Sequence, residues 1–394
     1  MIKQISLTNF KCFMEKSTFD FGKVTIFTGY NGRGKSTVLQ SLLLLSQSYL
    51  KKKPEELHLD GDWLNLGNYV DLVNIDNDAK LLIEFDIKTD DKNAHQVKLV
   101  YDASKDDMVG ELIECEFNKE NYFDSVGNAT ESGSENNSRR LTRSVPTNFS
   151  ILMESIHFIS ANRRGPIKFV SKREVPELHK VGKDGDYTIN TLASYKETLK
   201  TEMNIDSKDL NIYNLSELSS MWMSYIMDGG GNVDLRGNSR ESSVLSMLFS
   251  GANSKSCKFS PDNVGFGYSY ILSIIVTALI AKPGSIVIIE NPEAHLHPSA
   301  QSRITQLLTR LAERGVQVML ETHSEHILNG FRLNALRDEY SLTNDDLFIH
   351  FFEKDFSYKP LTVQLNGRIA NWPTGFFDQQ QQDLSEIIRL GLSK

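Results

Sequence analysis

Cysteine is scarce in this chain of 394 residues, which carries only Cys12, Cys115 and Cys257. The three stand far apart and show no metal-ligand spacing. That excludes a disulfide framework and a cysteine-built metal site, and they read as reduced thiols of a cytosolic protein. Long hydrophobic runs are missing as well. The longest, Ile271 to Ala281, is interrupted by Ser273 and Thr277 and is too short to cross a bilayer. Met1 to Phe10 is a mixed, strand-like start without a signal-peptide pattern. A cytoplasmic protein with no membrane partner is expected. Positive charge is not in excess either: 43 Lys and Arg face 51 Asp and Glu, a formal net charge of −8. A generally basic nucleic-acid coat is thereby disfavoured, and only a local basic groove stays open. Sustained heptads are absent, which argues against a long coiled-coil arm. The rest is ordinary for a globular protein, with 40% apolar and 24% charged residues. At this length, one domain with a large insertion or two lobes is expected.

What the chain does have is concentrated first at Gly29 to Thr37, Gly-Tyr-Asn-Gly-Arg-Gly-Lys-Ser-Thr. Gly29, Gly34, Lys35 and Ser36 match the P-loop spacing G-x-x-x-x-G-K-[ST]. A polyphosphate needs several backbone N–H groups aimed at one point, and glycines at 29, 32 and 34 clear the side chains and permit left-handed dihedrals. Asn31, Gly32, Arg33, Gly34, Lys35, Ser36 and Thr37 would wrap the phosphates. Lys35 would reach the β- and γ-phosphates, and Ser36 would ligate Mg²⁺. Val24 to Phe27 reads as a strand before the loop and Val38 to Leu50 as a helix after it, whose N-terminus adds partial positive charge.

Short β-type segments, Ile2 to Phe10 and Ser17 to Phe21, precede that strand. Lys11, between them, has two readings: a ligand for phosphate or adenine, or a solvated loop lysine. Trp63 to Asp71 lies where a γ-phosphate-sensing loop is often placed. Leu81 to Ile87, Val97 to Tyr101 and Glu111 to Phe117 alternate in strand fashion and predict an antiparallel sheet beside the nucleotide. Residues 124–147 are polar and almost without apolar side chains, so a mobile loop is expected. Its Arg139, Arg140 and Arg143 read as a solvated charge cluster, or as a contact for nucleic acid or an acidic partner. Arg163 and Arg164, closed by Gly165-Pro166, could face phosphate oxygens. Leu192 to Phe249 reads as a mostly helical lobe with a glycine joint at Gly229 to Gly231.

The second half is denser in motif. Asn263 to Tyr270 is a glycine-bearing turn running into the all-round apolar helix Ile271 to Ala281. Ser285 to Glu290 is a buried strand ending in a carboxylate, the pattern of a Walker B segment, where Glu290 would orient Mg²⁺ and its waters. Asn291-Pro292-Glu293 and Ala294-His295-Leu296-His297-Pro298 follow. Ser299 to Arg314 is amphipathic and stops at Gly315. The strand Val316 to Leu320 then leads into Glu321-Thr322-His323-Ser324. His295, His297 and His323 lack the spacing of a zinc site. Asn366-Gly367 reads as a hairpin turn, and a last helix carries Leu384, Ile387, Ile388 and Leu390.

These motifs in this order resemble the ABC-type ATPase heads of the SMC, RecF and OLD (overcoming lysogenization defect) group. The likeness is strongest to stand-alone bacterial AAA-type ATPases bearing Glu-Asn-Pro-Glu-Ala-His-Leu-His-Pro and Glu-Thr-His-Ser-Glu-His. The resemblance implies an α/β fold: an ABC-type P-loop ATPase head with a mixed β-sheet core, an antiparallel β subdomain and an inserted helical lobe. Residues 1–88 and 256–394 would form the core with its C-terminal hairpin and helix, and residues 89–255 the insertion. It implies ATP and Mg²⁺ as cofactors. Gly265, Gly267 and Ser269 would occupy the signature-loop position that contacts the γ-phosphate of another subunit, although the Leu-Ser-Gly-Gly-Gln wording is missing. His323 would be the switch histidine. At the Walker B end the usual Asp-Glu pair is Glu290-Asn291, and an amide can orient water but cannot take its proton. Glu293 is the expected substitute, or hydrolysis is slow.

OLD-type nucleases continue into a TOPRIM nuclease domain, for which the stretch after His323 is too short, so this chain is not expected to be a nuclease itself. By family analogy it would be a sensor or scaffold for a separate effector, such as a nuclease or toxin, in anti-phage defence. A homodimer through the ATP sites or a larger assembly is implied, with nucleic acid or a phage component as a further partner. The competing expectation is a RecF-like ATPase acting directly on DNA.

Overall fold

The computed structural model describes residues 1–77, 81–91, 95–124, 140–141, 145–171, 181–195, 200–201, 203–206, 209, 211–236, 244–251 and 258–392. Most of the loop expected at 124–147 lies outside them, as does Cys257.

A six-stranded sheet carries the P-loop. Its order is Ile156–Ile159, Ile286–Glu290, Gln317–Glu321, Val24–Gly29, Leu347–Phe352 and Tyr358–Leu361, parallel except for the last strand. Both faces are covered, which explains why these strands read as continuous apolar runs. Side chains still alternate between two cores, as the pleat requires. Val24, Ile26, Val287, Ile289, Val318, Leu320, Ile349 and Phe351 face one core, built with the helices Leu215–Ile226, Phe266–Ile280, Pro298–Glu313 and Glu325–Asn334. Phe27, Ile156, Phe158, Ile286, Ile288, Met319 and Phe352 face the other, shared with the P-loop helix Lys35–Leu50 and the second sheet.

That second sheet is antiparallel and includes Ile2–Thr8, Ser17–Asp20, Glu56–His58, Ile83–Thr89, Gln96–Ala103 and Val109–Phe117. Its strand Ile83–Thr89 alternates buried and half-buried positions, as its sequence predicts. Gln317 ties the two sheets together, accepting from the Ile2 N–H and donating to the Ile2 and Gly22 carbonyls. The boundary expected at 88/89 falls at the end of a strand paired with Gln96–Ala103, and Ile156–Ile159, placed above in the insertion, pairs with the Walker B strand.

Among its described residues, the stretch Leu192 to Phe249 is helical only in part. After the helices Thr188–Tyr195 and Leu215–Ile226 come the antiparallel strands Gly230–Arg236 and Val244–Gly251. Val233 and Leu235, two apart, carry the strand period that a helical reading of this stretch overlooks. The glycines near 230 begin a strand packed on Met223 and Tyr268 rather than forming a free joint. Among the described residues, no helix is long and apolar enough to cross a membrane.

Candidate functional site

The P-loop strand ends at Gly29, and Gly29, Gly32 and Gly34 all take positive φ, as the wrap requires. The helix begins at Lys35 with Gly34 as its N-cap, and no side chain caps it. Its first N–H groups are thus free to meet a phosphate. Lys35 is buried, and its ammonium donates to the Gly29 carbonyl at 3.1 Å and the Tyr30 carbonyl at 2.8 Å. Desolvation lowers its pKa, and Glu321 opposes that. Asn31 and Gly32 are exposed, Arg33 lies over the Phe356 ring, and Thr37 is buried near the Cys12 sulfur. A cleft of about 540 Å³ opens alongside, between Tyr30, His323, Lys354 and Phe376.

Lys11 is not a solvated loop lysine. It sits on the side of the P-loop helix, half-buried, and donates to Gln40. Its pKa is lowered first by burial. Trp63 and Leu64, which begin the stretch Trp63 to Asp71, lie along the helix away from the P-loop. They hydrogen-bond Ser46 and Gln47, roughly 16 Å along the helix from Lys35 at 1.5 Å per residue.

The acidic residues converge at the carboxyl edge of the sheet. Glu290 and Glu321 are register partners on adjacent parallel strands, and Glu321 is in turn paired with Phe27 of the P-loop strand. Their side chains diverge. Glu321 is 7% exposed, and its Oε2 accepts the Ser36 hydroxyl at 2.7 Å. Glu290 turns toward Ile156–Ile159 and accepts the Ala161 N–H at 3.0 Å. Burial raises the pKa of both. For Glu321, Ser36 and Lys35 oppose the rise while Glu290 and Glu293 add to it. For Glu290, Ala161 and Arg163 oppose it and Asp184 adds to it. The carboxylate that meets the Ser36 hydroxyl is Glu321, while Glu290, expected together with Ser36 at Mg²⁺, holds the Ala161 N–H.

Arg163 is also not where a phosphate could reach it. It is 3% exposed and donates to the backbone carbonyls of Ser160, Glu290 and Asn291, with its plane over Tyr270. Burial lowers its pKa to about 10 against the pull of Glu293, Tyr270 and Glu290. It fixes the turn that carries Asn291 at φ 45°. Arg164 pairs with Asp186.

Glu293 reaches across to the His323 loop, where it accepts from the Thr322 hydroxyl and the His323 N–H. His323 keeps a solvent-facing side, yet desolvation and then Lys35 hold its pKa below the ordinary value, with Glu293 opposing. His295 packs on Tyr270 and Phe266, and His297 caps the helix Pro298–Glu313.

The signature-position residues separate. Gly265 is exposed at the N-cap of Phe266–Ile280. Gly267 is buried, and a Cβ there would lie 2.7 Å from the His295 carbonyl. The Ser269 hydroxyl is buried and has no hydrogen-bond partner among the described residues.

Comparison with known proteins bears on the family and the fold. A family model described as "AAA ATPase domain" matches residues 1–227. One described as "AAA domain, putative AbiEii toxin, Type IV TA system" matches 228–329, and "Protein of unknown function (DUF3696)" matches 342–387. No curated protein matches the chain. In structure it is similar to the SMC head bound to the C-winged helix domain of ScpA, with a TM-score of 0.53 at 14% identity over 92% of this chain and 98% of that one. The SMC head domain from Thermotoga maritima gives a TM-score of 0.47 at 12% identity, over 92% of this chain and 99% of that one. The expected fold, an ABC-type P-loop ATPase head, is the fold observed.

Proposed function

The chain belongs to the AAA ATPase domain family, and from that premise we propose that it binds and hydrolyses ATP as the sensor or scaffold for a separate effector, a nuclease or toxin, in bacterial anti-phage defence. The observation that carries the ATPase reading is the convergence of Lys35, Ser36, Glu321, Glu293 and His323 at one edge of a parallel sheet. A hydroxyl and a carboxylate suit a hard oxygen-seeking cation such as Mg²⁺, and Lys35 suits phosphate. When bound, Mg²⁺ would neutralise developing charge on the phosphates.

The chain's own residues supply the rest. Lys35 exchanges the Gly29 and Tyr30 carbonyls for phosphate oxygens. The free N–H groups at the start of Lys35–Leu50 hold the polyphosphate. Asn291, held by Arg163, orients a water, and Glu293 accepts its proton beside His323. The effector reading is supported by the partner-bound state of a similar head. A homodimer closed by ATP follows from a P-loop open to solvent, with Gly265 and the adjacent helix N-terminus as the contact.

Lys35→Ala tests the premise. It should abolish ATP·Mg²⁺ binding in calorimetry without a change of fold, and wild-type affinity in that variant would refute the P-loop assignment. Mass photometry with ATP and then ADP tests closure, and equal dimer populations would refute it.

A further inference from the structure

We infer that Glu321, and not the Walker B residue Glu290, is the carboxylate that works with the Ser36 hydroxyl to position Mg²⁺ at the nucleotide; this rests on the ATP-binding reading above. The Ser36 hydroxyl already donates to Glu321 Oε2 at 2.7 Å. That oxygen therefore stands within one hydrogen bond of the atom that ligates Mg²⁺ in a P-loop. Glu321 ends the strand Gln317–Glu321, which lies directly beside the P-loop strand, whereas Glu290 is one strand further away. Glu290 is also turned outward, holding the Ala161 N–H. Glu293 has both oxygens engaged by Thr322 and His323.

Glu321 also has the surroundings of a group with a task. It is almost fully buried, and of the charged groups acting on it Lys35 favours its ionised form while Glu290 and Glu293 oppose it. An acid held among acids near one lysine gains from an added divalent cation. Among the described residues, no group of three or more His, Cys, Asp or Glu is arranged to hold a metal ion. Phosphate oxygens and water would then complete the shell of the ion, which is how Mg²⁺ is usually bound.

The test is calorimetry of ATP binding to the full chain at increasing Mg²⁺, and again in EDTA, with thermal unfolding as the control for fold. Glu321→Gln should shift the Mg²⁺ midpoint upward by about 10–100-fold, the range seen when a group orienting a metal is removed, and leave Mg²⁺-free ATP affinity unchanged. Glu321→Asp should recover part of the shift, and Glu290→Gln should leave the midpoint near wild type. If Glu321 and Ser36 act on one ion, adding Glu321→Gln to Ser36→Ala should cost little beyond Ser36→Ala alone. A midpoint shift in Glu290→Gln equal to or larger than that in Glu321→Gln overturns the inference, as does full additivity of the Ser36 and Glu321 changes. Absence of ATP binding by the wild type would instead refute the ATPase reading itself.

Discussion

Glu293 and His323 are joined through the backbone: Glu293 Oε1 accepts the His323 N–H at 2.8 Å, while Oε2 takes the Thr322 hydroxyl at 2.7 Å. Glu293, within the turn that follows the strand Ile286–Glu290, thus holds the Thr322–His323 loop in place. Any movement of His323 toward a γ-phosphate pulls on the carboxylate proposed to take the proton from water.

Glu293→Gln should reduce single-turnover ATP hydrolysis by about 10²–10⁴-fold with ATP still bound, the usual worth of a general base. Thr322→Val removes the hydrogen bond to the Glu293 carboxylate, about 1.5–3 kcal/mol, and the one accepted from the Ser324 N–H, about 0.5–1.5 kcal/mol, yet should slow turnover less than Glu293→Gln does. Equal losses in the two variants would leave Glu293 with an anchoring role alone.

Gly267 and Gly265 should respond oppositely to alanine. At Gly267 the new Cβ would meet the His295 carbonyl at 2.7 Å, while at Gly265 it meets nothing within 4 Å. Overpacking of this kind costs about 1–3 kcal/mol, so Gly267→Ala should lower the unfolding midpoint in urea. Gly265→Ala should stay within about 0.5 kcal/mol of wild type. A stable Gly267→Ala would mean that the Walker B turn yields easily.

Arg163→Ala should be among the more damaging single changes. It leaves the Ser160, Glu290 and Asn291 carbonyls without their buried donor. Hydrogen bonds to charged groups are worth about 1.5–3 kcal/mol each, and the loss should appear as a lower denaturation midpoint together with weakened turnover. Arg163→Lys should recover part of the stability, since one ammonium cannot span the three carbonyls in the same fork geometry. Unchanged stability in Arg163→Ala would show that water replaces the guanidinium.

The contiguous parts of this site were legible from sequence because their chemistry is local. The spacing from Gly29 to Ser36 defines the phosphate wrap, and the apolar run into Glu290 defines a buried strand with a carboxylate at its end. Val316 to Leu320 running into Glu321 carries the same signal one strand later. Its meaning depends on strand order, which places Gln317–Glu321 rather than Ile286–Glu290 against the P-loop strand. Order within a sheet is a long-range property that no spacing encodes. Arg163 was misjudged for a related reason: a cation at a strand end faces solvent or protein according to what packs over it, and here Tyr270 and the Walker B turn do.

The buried acids give a pH signature. Burial raises the Glu321 pKa above the ordinary 4.5, so its neutral form is favoured by folding. The stabilisation is fully present below the unfolded value and is lost as pH rises through the raised folded value. Glu321→Gln removes that loss. In nucleotide-free, Mg²⁺-free buffer its stability relative to wild type should therefore improve as pH increases from about 4.5 upward, measured by urea unfolding. A relative stability that falls over the same range would mean that Ser36 and Lys35 outweigh burial.

The Lys35 ammonium, finally, is already satisfied. By donating to the Gly29 and Tyr30 carbonyls, the loop behaves as its own competitive inhibitor: phosphate must displace an internal ligand of effectively fixed concentration. The apparent affinity is the intrinsic affinity scaled by the fraction of loops whose lysine is released. A lone monovalent anion has one charge to offer against two carbonyls, whereas a polyphosphate gathers the lysine and the helix amides at once. Under the proposed ATP binding, selection against small anions would be set before any base or sugar is recognised.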